Sequence, residues 1–155
     1  MRSGVRLGVD VGTARVGVAR CDRDGLLATP LETVQRRGDD LEPVLARIRA
    51  LAEEAGAIEL VVGLPLALSG RETASTADAK AVAARLAEGP LPVRMVDERL
   101  TTVSAQAALH SSGRKTRGTR GVIDQVAAVI LLQHALDAER ARNEAPGALL
   151  DPKRM

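Results

Sequence analysis

Apolar positions divide this chain into strand-length runs and longer helical stripes. Val5 to Val11 reads as a first strand, Gly12-Thr13-Ala14-Arg15 as a turn, and Val16 to Cys21 as a second strand. Asp22-Arg23-Asp24-Gly25 is a strong turn signal, and a third strand runs from Leu26 to about Gln35. From Asp39 to Ala55 the period changes. Leu41, Val44, Leu45, Ile48, Leu51 and Ala52 form a helical stripe, and Gly56 stops it. Ile58 to Pro65 is a buried strand ending in a loop. Ser69 to Glu88 is an alanine-rich helix closed by Gly89-Pro90, and Val93 to Asp97 is a fifth strand ending at Glu98. Thr101 to about His110 predicts a third helix. Val122 to Arg142 predicts a long last one, with Val126, Val129, Ile130, Leu132 and Leu136 on its apolar face.

A three-stranded meander, then helix, strand, helix, strand and two helices, predicts an α/β domain. Its mixed five-stranded sheet has an antiparallel meander followed by parallel strands, flanked by helices. The expected boundaries are one domain over residues 1–142 and a flexible tail over 143–155, where Pro146 and Gly147 break any pattern. Strand one is central in such a sheet, and ligands sit at the carboxyl ends of the strands.

Asp10 breaks the apolar character of strand one, with Val9 and Val11 on either side. A carboxylate there is costly unless a cation or hydrogen-bond donor meets it. In Gly8-Val9-Asp10-Val11-Gly12-Thr13 the acid stands beside a tight glycine turn, where Gly12 permits close backbone approach and Thr13 offers a hydroxyl. Glu98 closes the fifth strand in Asp97-Glu98-Arg99, where either acid could face a shared site or cap the following helix. Asp124 stands near the start of the last helix, where the helix dipole favours a carboxylate in any case. Taken together, three separated acids on one α/β core suit a hard divalent cation that binds through oxygen and leaves positions for water and phosphate.

Charge and composition narrow the ligand. The 155-residue chain carries a net charge of +2, but Arg114 to Arg120 holds four positive charges with no acid between Arg99 and Asp124. A solvated loop would look the same; a loop that meets phosphate would too. The chain has no Phe, Tyr or Trp, which excludes base stacking on aromatic platforms. Recognition of nucleic acid would then rest on backbone, shape, arginine planes or metal. Met1-Arg2-Ser3 leads straight into the first strand, so no signal peptide is expected, and no apolar run approaches membrane-spanning length. Cys21, the single cysteine, reads as a small buried hydrophobe in a reducing cytosol. His110 and His134 are too isolated for a zinc site, and no Walker loop, nucleophile elbow or Rossmann glycine triplet occurs.

The chain resembles the YqgF/RuvX family, ribonuclease H-like proteins named for Holliday junction cleavage or pre-16S rRNA processing. Four ordered blocks carry the resemblance: Gly8 to Ala19; Val61 to Leu66 with Ser69-Gly70 behind it; Asp97 to Thr102; and Asp124 ahead of Ala127 to Leu131. Ala67-Leu68 departs from the asparagine-containing version usual after Gly-Leu-Pro-Leu, which could weaken a substrate contact there. The resemblance implies a ribonuclease H-like fold, with Asp10, Glu98 and Asp124 as catalytic, metal-binding acids. It also implies Mg2+ or Mn2+, a cytoplasmic location, and a metal-dependent hydrolase that matures the 5′ end of pre-16S rRNA in ribosome biogenesis. Metal-activated water would attack phosphorus, leaving 5′-phosphate and 3′-hydroxyl ends. Thr13, Arg15 and Arg99 would hold phosphate, and Lys115, Arg117 and Arg120 would guide the strand; surface ion pairs are an equal reading of these cations. Two rivals stand within this class: cleavage of branched DNA by a homodimer, since symmetric cutting needs two sites, and a weakly active nucleic-acid- or ribosome-binding module. An ATP-binding protein of the actin or sugar-kinase class shares the Asp10–Thr13 loop but needs a second domain.

Overall fold

Turn chemistry near the first hairpins decides where the strands begin. The Asp22 carboxylate accepts from the backbone N–H groups of Leu26 and Leu27, both at 2.8 Å. These two residues are therefore drawn into the turn, with exposed side chains, and strand pairing starts only at Ala28. In the computed structural model, which describes residues 1–98 and 119–150, the meander is β1 (Val5–Val11), β2 (Arg15–Cys21) and β3 (Ala28–Gln35). α1 (Glu42–Ala55) starts three residues later than its apolar stripe suggested, with Pro43 in its first turn, and ends at Gly56 with a φ of 64°. β4 (Ala57–Leu64) follows.

Helix α2 (Ala74–Ala87) also begins later than expected. Thr73 and Thr76 form a reciprocal capping box, so Thr73 fixes the start. The residues before it, from Pro65 to Glu72, make a small hairpin instead, with Leu66 bridged to Glu72. β5 (Val93–Asp97) comes next, and α3 (Thr119–Arg142) is the last helix. The expected helix over Thr101–His110 and most of the basic stretch lie outside the described residues.

The sheet has order β3-β2-β1-β4-β5-β6, six strands where the sequence suggested five. The meander is antiparallel, and β1, β4 and β5 run parallel. β6 (Ala148–Leu149) comes from the segment expected as a loose tail: after Asn143, with φ 55°, the chain returns and pairs antiparallel with β5. The reason is visible in its contacts, since Leu150 N–H donates to the Val93 carbonyl at 2.9 Å and Arg94 reaches the Pro146 carbonyl. Two residues, Ala148 and Leu149, suffice to make an edge strand too short for periodicity to detect.

Helices cover both faces of the sheet. Leu7, Val9, Val16, Val18, Leu60, Val62 and Val93 pack under α1 and α2. Ala19, Cys21, Ala28 and Val61 pack under α3, against Ala128, Leu132, Ala135 and Leu136. Cys21 is buried there, and its sulfur accepts from the Arg6 N–H at 3.2 Å. Without aromatic side chains the layers close by approaching one another. At Gly8 a Cβ would stand 2.8 Å from Leu132 Cβ and 3.0 Å from the Ala128 carbonyl, so α3 lies almost on the β1 backbone.

The same face carries charge at its far end. Arg6, Glu59 and Glu139 are all buried. Arg6 meets Glu139 at 2.6 Å, Arg2 bridges Glu139 and Glu59 at 2.6 and 2.9 Å, and Arg94 meets Glu59 at 2.9 Å. This network ties the C-terminal half of α3 to the starts of β1, β4 and β5. Replacing such a network by apolar groups can be neutral, but removing one partner strands a buried charge. Glu139→Ala should therefore lower stability by about 3–5 kcal/mol in urea unfolding; a loss under about 1 kcal/mol would mean that the network does not anchor the helix.

Candidate active site

Parallel pairing brings the ends of β1, β4 and β5 to one edge of the sheet. Val9 pairs with Val62, Gly63 with Val96 and Leu64 with Asp97. Asp10 thus stands one residue beyond Val9, beside Gly63, and pairs across β2 with another glycine, Gly17. Glu98 follows β5 directly, and its N–H donates to the Leu64 carbonyl at 3.3 Å. Asp10 and Glu98 therefore end the two strands that flank β4, with Gly63 between them.

Gly63 lets them meet. A Cβ at that position would overlap the Glu98 carboxylate and press on Leu131 of α3. With only hydrogen there, the Glu98 side chain crosses over β4 and hydrogen-bonds the Asp10 carboxyl. Glu98 is 8% exposed, whereas its neighbour Asp97 is exposed on the other side of the strand end. The choice between the two acids that the sequence left open is made by strand alternation, which turns Val96 and Glu98 toward α3.

Burial pushes the Glu98 carboxyl up to about 9, and the charge and hydrogen bond of Asp10, then the charge of Asp97, add to it. Two carboxylates this close cannot both ionise without a cation. A divalent cation would take the place of the shared proton, and the donor set suits a hard ion that prefers oxygen. Among the described residues no group of three or more metal-binding side chains gathers, so the described part of the site is this pair. Asp124 falls in the second turn of α3, and its side chain lies outside the described residues. Arg99, Lys115 and Arg117 lie outside them too, as does the Arg120 side chain in the first turn of α3. Thr13 is exposed and Arg15 half-buried in the turn that follows Asp10. Gly12 N–H donates to the Arg15 carbonyl at 2.9 Å, and a Cβ on Gly12 would meet that oxygen at 2.6 Å, so glycine is required there. His134 is exposed on α3, away from any such cluster.

Sequence reasoning passed over Gly63. A glycine inside the apolar run Leu60-Val61-Val62-Gly63-Leu64 was the available signal, since such a glycine marks a close approach. Gly63→Ala should displace Glu98 and weaken Mn2+ binding by at least about 10-fold in calorimetry; unchanged affinity would show that the carboxyl pair is not the metal seat.

The raised Glu98 value also sets a pH dependence. Between the ordinary carboxyl value of 4.5 and about 9 the folded protein keeps a proton that the unfolded chain has lost. Metal-free stability should therefore be highest below that window and fall as pH rises through it, by up to about 1.4 kcal/mol per pH unit. Thermal melts across that window, with and without Mg2+, check this: the slope should flatten when the ion is present. Glu98→Gln should remove the slope and raise the metal-free Tm at pH 8 by roughly 3–6 °C. A Glu98→Gln protein melting below the parent at that pH would contradict the repulsion.

The profile of the family described as "RuvX: Holliday junction resolvase" matches residues 4–138. A Leifsonia xyli protein named "Putative pre-16S rRNA nuclease" is 57% identical, covering 99% of this chain and 98% of its own length. A protein of the same name from Clavibacter michiganensis is 60% identical, covering 100% of this chain and 96% of its own. In solved structures, T. thermophilus RuvC in complex with Holliday junction substrate superposes with a TM-score of 0.54 at 22% identity, over 92% of this chain and 99% of that one. That likeness fixes the fold as ribonuclease H-like, and with a match over most of its length the chain belongs to the RuvX family.

Proposed function

We propose that this protein is a metal-dependent nuclease that hydrolyses phosphodiester bonds in 5′-end maturation of pre-16S rRNA. The observation that carries the reading is the contact of half-buried Asp10 with buried Glu98, seated over Gly63 at the strand edge where ligands bind in open α/β sheets. Membership of the RuvX family supports cleavage of nucleic acid, and the name shared by the full-length relatives supports the RNA.

Asp10 and Glu98 would hold Mg2+ or Mn2+, with Asp124 from α3 as third ligand. A bound divalent ion lowers the pKa of water and stabilises charge on the attacking and leaving oxygens. Glu98 would ligate as the carboxylate, so metal binding there would release the proton that burial and Asp10 favour in the metal-free protein. Thr13 and Arg15 hold the phosphate on the β1–β2 side. Arg99, Lys115, Arg117 and Arg120 guide the strand toward it. In this reading residues 1–150 act as one cytoplasmic nuclease domain, because β6 belongs to its sheet.

Junction DNA is the second reading, favoured by the family description and by the fold shared with RuvC. It requires a homodimer with two such sites. Labelled pre-16S RNA and a four-way DNA junction, each with and without Mg2+ or Mn2+, separate the two. The expected result is metal-dependent cutting of the RNA that falls by about 100-fold or more in Asp10→Asn, while that variant stays folded. Retained cleavage in Asp10→Asn would remove the proposed site, and cutting of the junction alone would move the substrate to DNA.

A further inference from the structure

Arg36 follows β3, outside the carboxyl pair, yet it grips the turn beside that pair. Its guanidinium is only 5% exposed. Nη1 donates to the Gly12 carbonyl at 2.8 Å and to Asp78 Oδ2 at 2.6 Å, and Nη2 donates to Asp78 Oδ1 at 3.1 Å. The backbone N–H of Arg36 donates to the Ala14 carbonyl at 3.0 Å. One residue thus holds two carbonyls of the Gly12–Arg15 turn, and Asp78, from α2, holds that residue by a bidentate pair.

This geometry has a directional consequence. The described peptide bonds are trans, so the Thr13 N–H points opposite to the Gly12 carbonyl on the same peptide plane. Because the carbonyl is turned onto Arg36, the Thr13 amide is turned away from it, and Thr13 itself is exposed. A free turn could rotate that peptide; this one is fixed from outside by a charged fork. Lysine could not reproduce it, since a single ammonium does not engage a carbonyl and both oxygens of a carboxylate in one plane.

Asp78 neutralises the guanidinium, so Arg36 adds no attraction for phosphate of its own. We propose that Arg36, locked by Asp78, is a positioning residue for phosphodiester cleavage: it fixes the Gly12–Thr13 peptide so that the Thr13 amide and hydroxyl meet a substrate phosphate next to Asp10 and Glu98. The proposal rests on the nuclease reading above.

Arg36→Lys and Asp78→Asn test it on the full-length protein with the same labelled RNA and Mn2+. Each variant should lower kcat by about 10-fold while KM and its salt dependence stay within about 2-fold, and the double variant should be no worse than either alone. In the metal-free protein, NMR should show amide exchange at Gly12, whose N–H closes the turn onto the Arg15 carbonyl, about 10-fold faster in both variants, a readout independent of catalysis. Mn2+ affinity measured by calorimetry should not change. Folded variants with parental kcat would overturn the proposal, as would a kcat loss matched by lost Mn2+ affinity, which would mean that the acids and not the turn had moved. An active parent with active variants sinks the positioning role alone; a parent inert on both the RNA and the four-way DNA junction sinks the nuclease reading and this proposal with it.

Discussion

The hydrogen bond between the Asp10 and Glu98 carboxyls exists only while one of them keeps a proton or a cation replaces it. Much of the fold serves to hold two groups that repel once both ionise. β1 and β5 deliver them from either side of β4, and Gly63 removes the one side chain that would keep them apart. α3 covers the pair from above. It sits low because Gly8 offers no Cβ, and its far end is tied down through Glu139 to Arg6 and Arg2. The ion network at one end of that helix and the carboxyl pair at the other thus share one lever. The network contributes less to net stability than to fixing where the helix lies, because desolvation offsets most of its attraction.

Repulsion of this kind is relieved by a shared proton, or by a cation between the two carboxylates. Without metal, the raised Glu98 carboxyl works against folding as pH climbs above the ordinary carboxyl value; in the proposed function a divalent ion would turn the same proximity into affinity. The family to which the chain belongs gives that conversion a purpose, since phosphoryl chemistry needs an ion held by few ligands and open to substrate.

The layered order of strands and helices was legible because it is written in periodicity, and Asp10 was legible because an acid in an apolar strand is costly. Other features were hidden for definable reasons. Leu26 and Leu27 look like strand, but the Asp22 carboxylate claims their N–H groups. Ser69 to Glu72 looks like helix, but Thr73 and Thr76 cap one another and set the start. β6 is too short to leave a pattern and exists through backbone contacts with β5. Gly63 and Arg36 act by what they permit or orient at a distance in sequence, and a chain read residue by residue records neither the missing side chain's neighbour nor the carbonyl an arginine will reach. The paired acids Asp97 and Glu98 were left undecided because which one faces the helix depends on where the strand ends.

β6 also bears on how molecules of this protein behave toward one another. An unpaired strand margin recruits further strands and seeds aggregation. Here, among the described residues, the parallel side of the sheet finishes in a two-residue strand, and the opposite side finishes in β3, which carries Pro30 and a register irregularity near it. Neither border offers a long regular row of free donors and acceptors. Among the described residues the sheet therefore ends on two broken borders, one of them the short C-terminal return that periodicity would have dismissed.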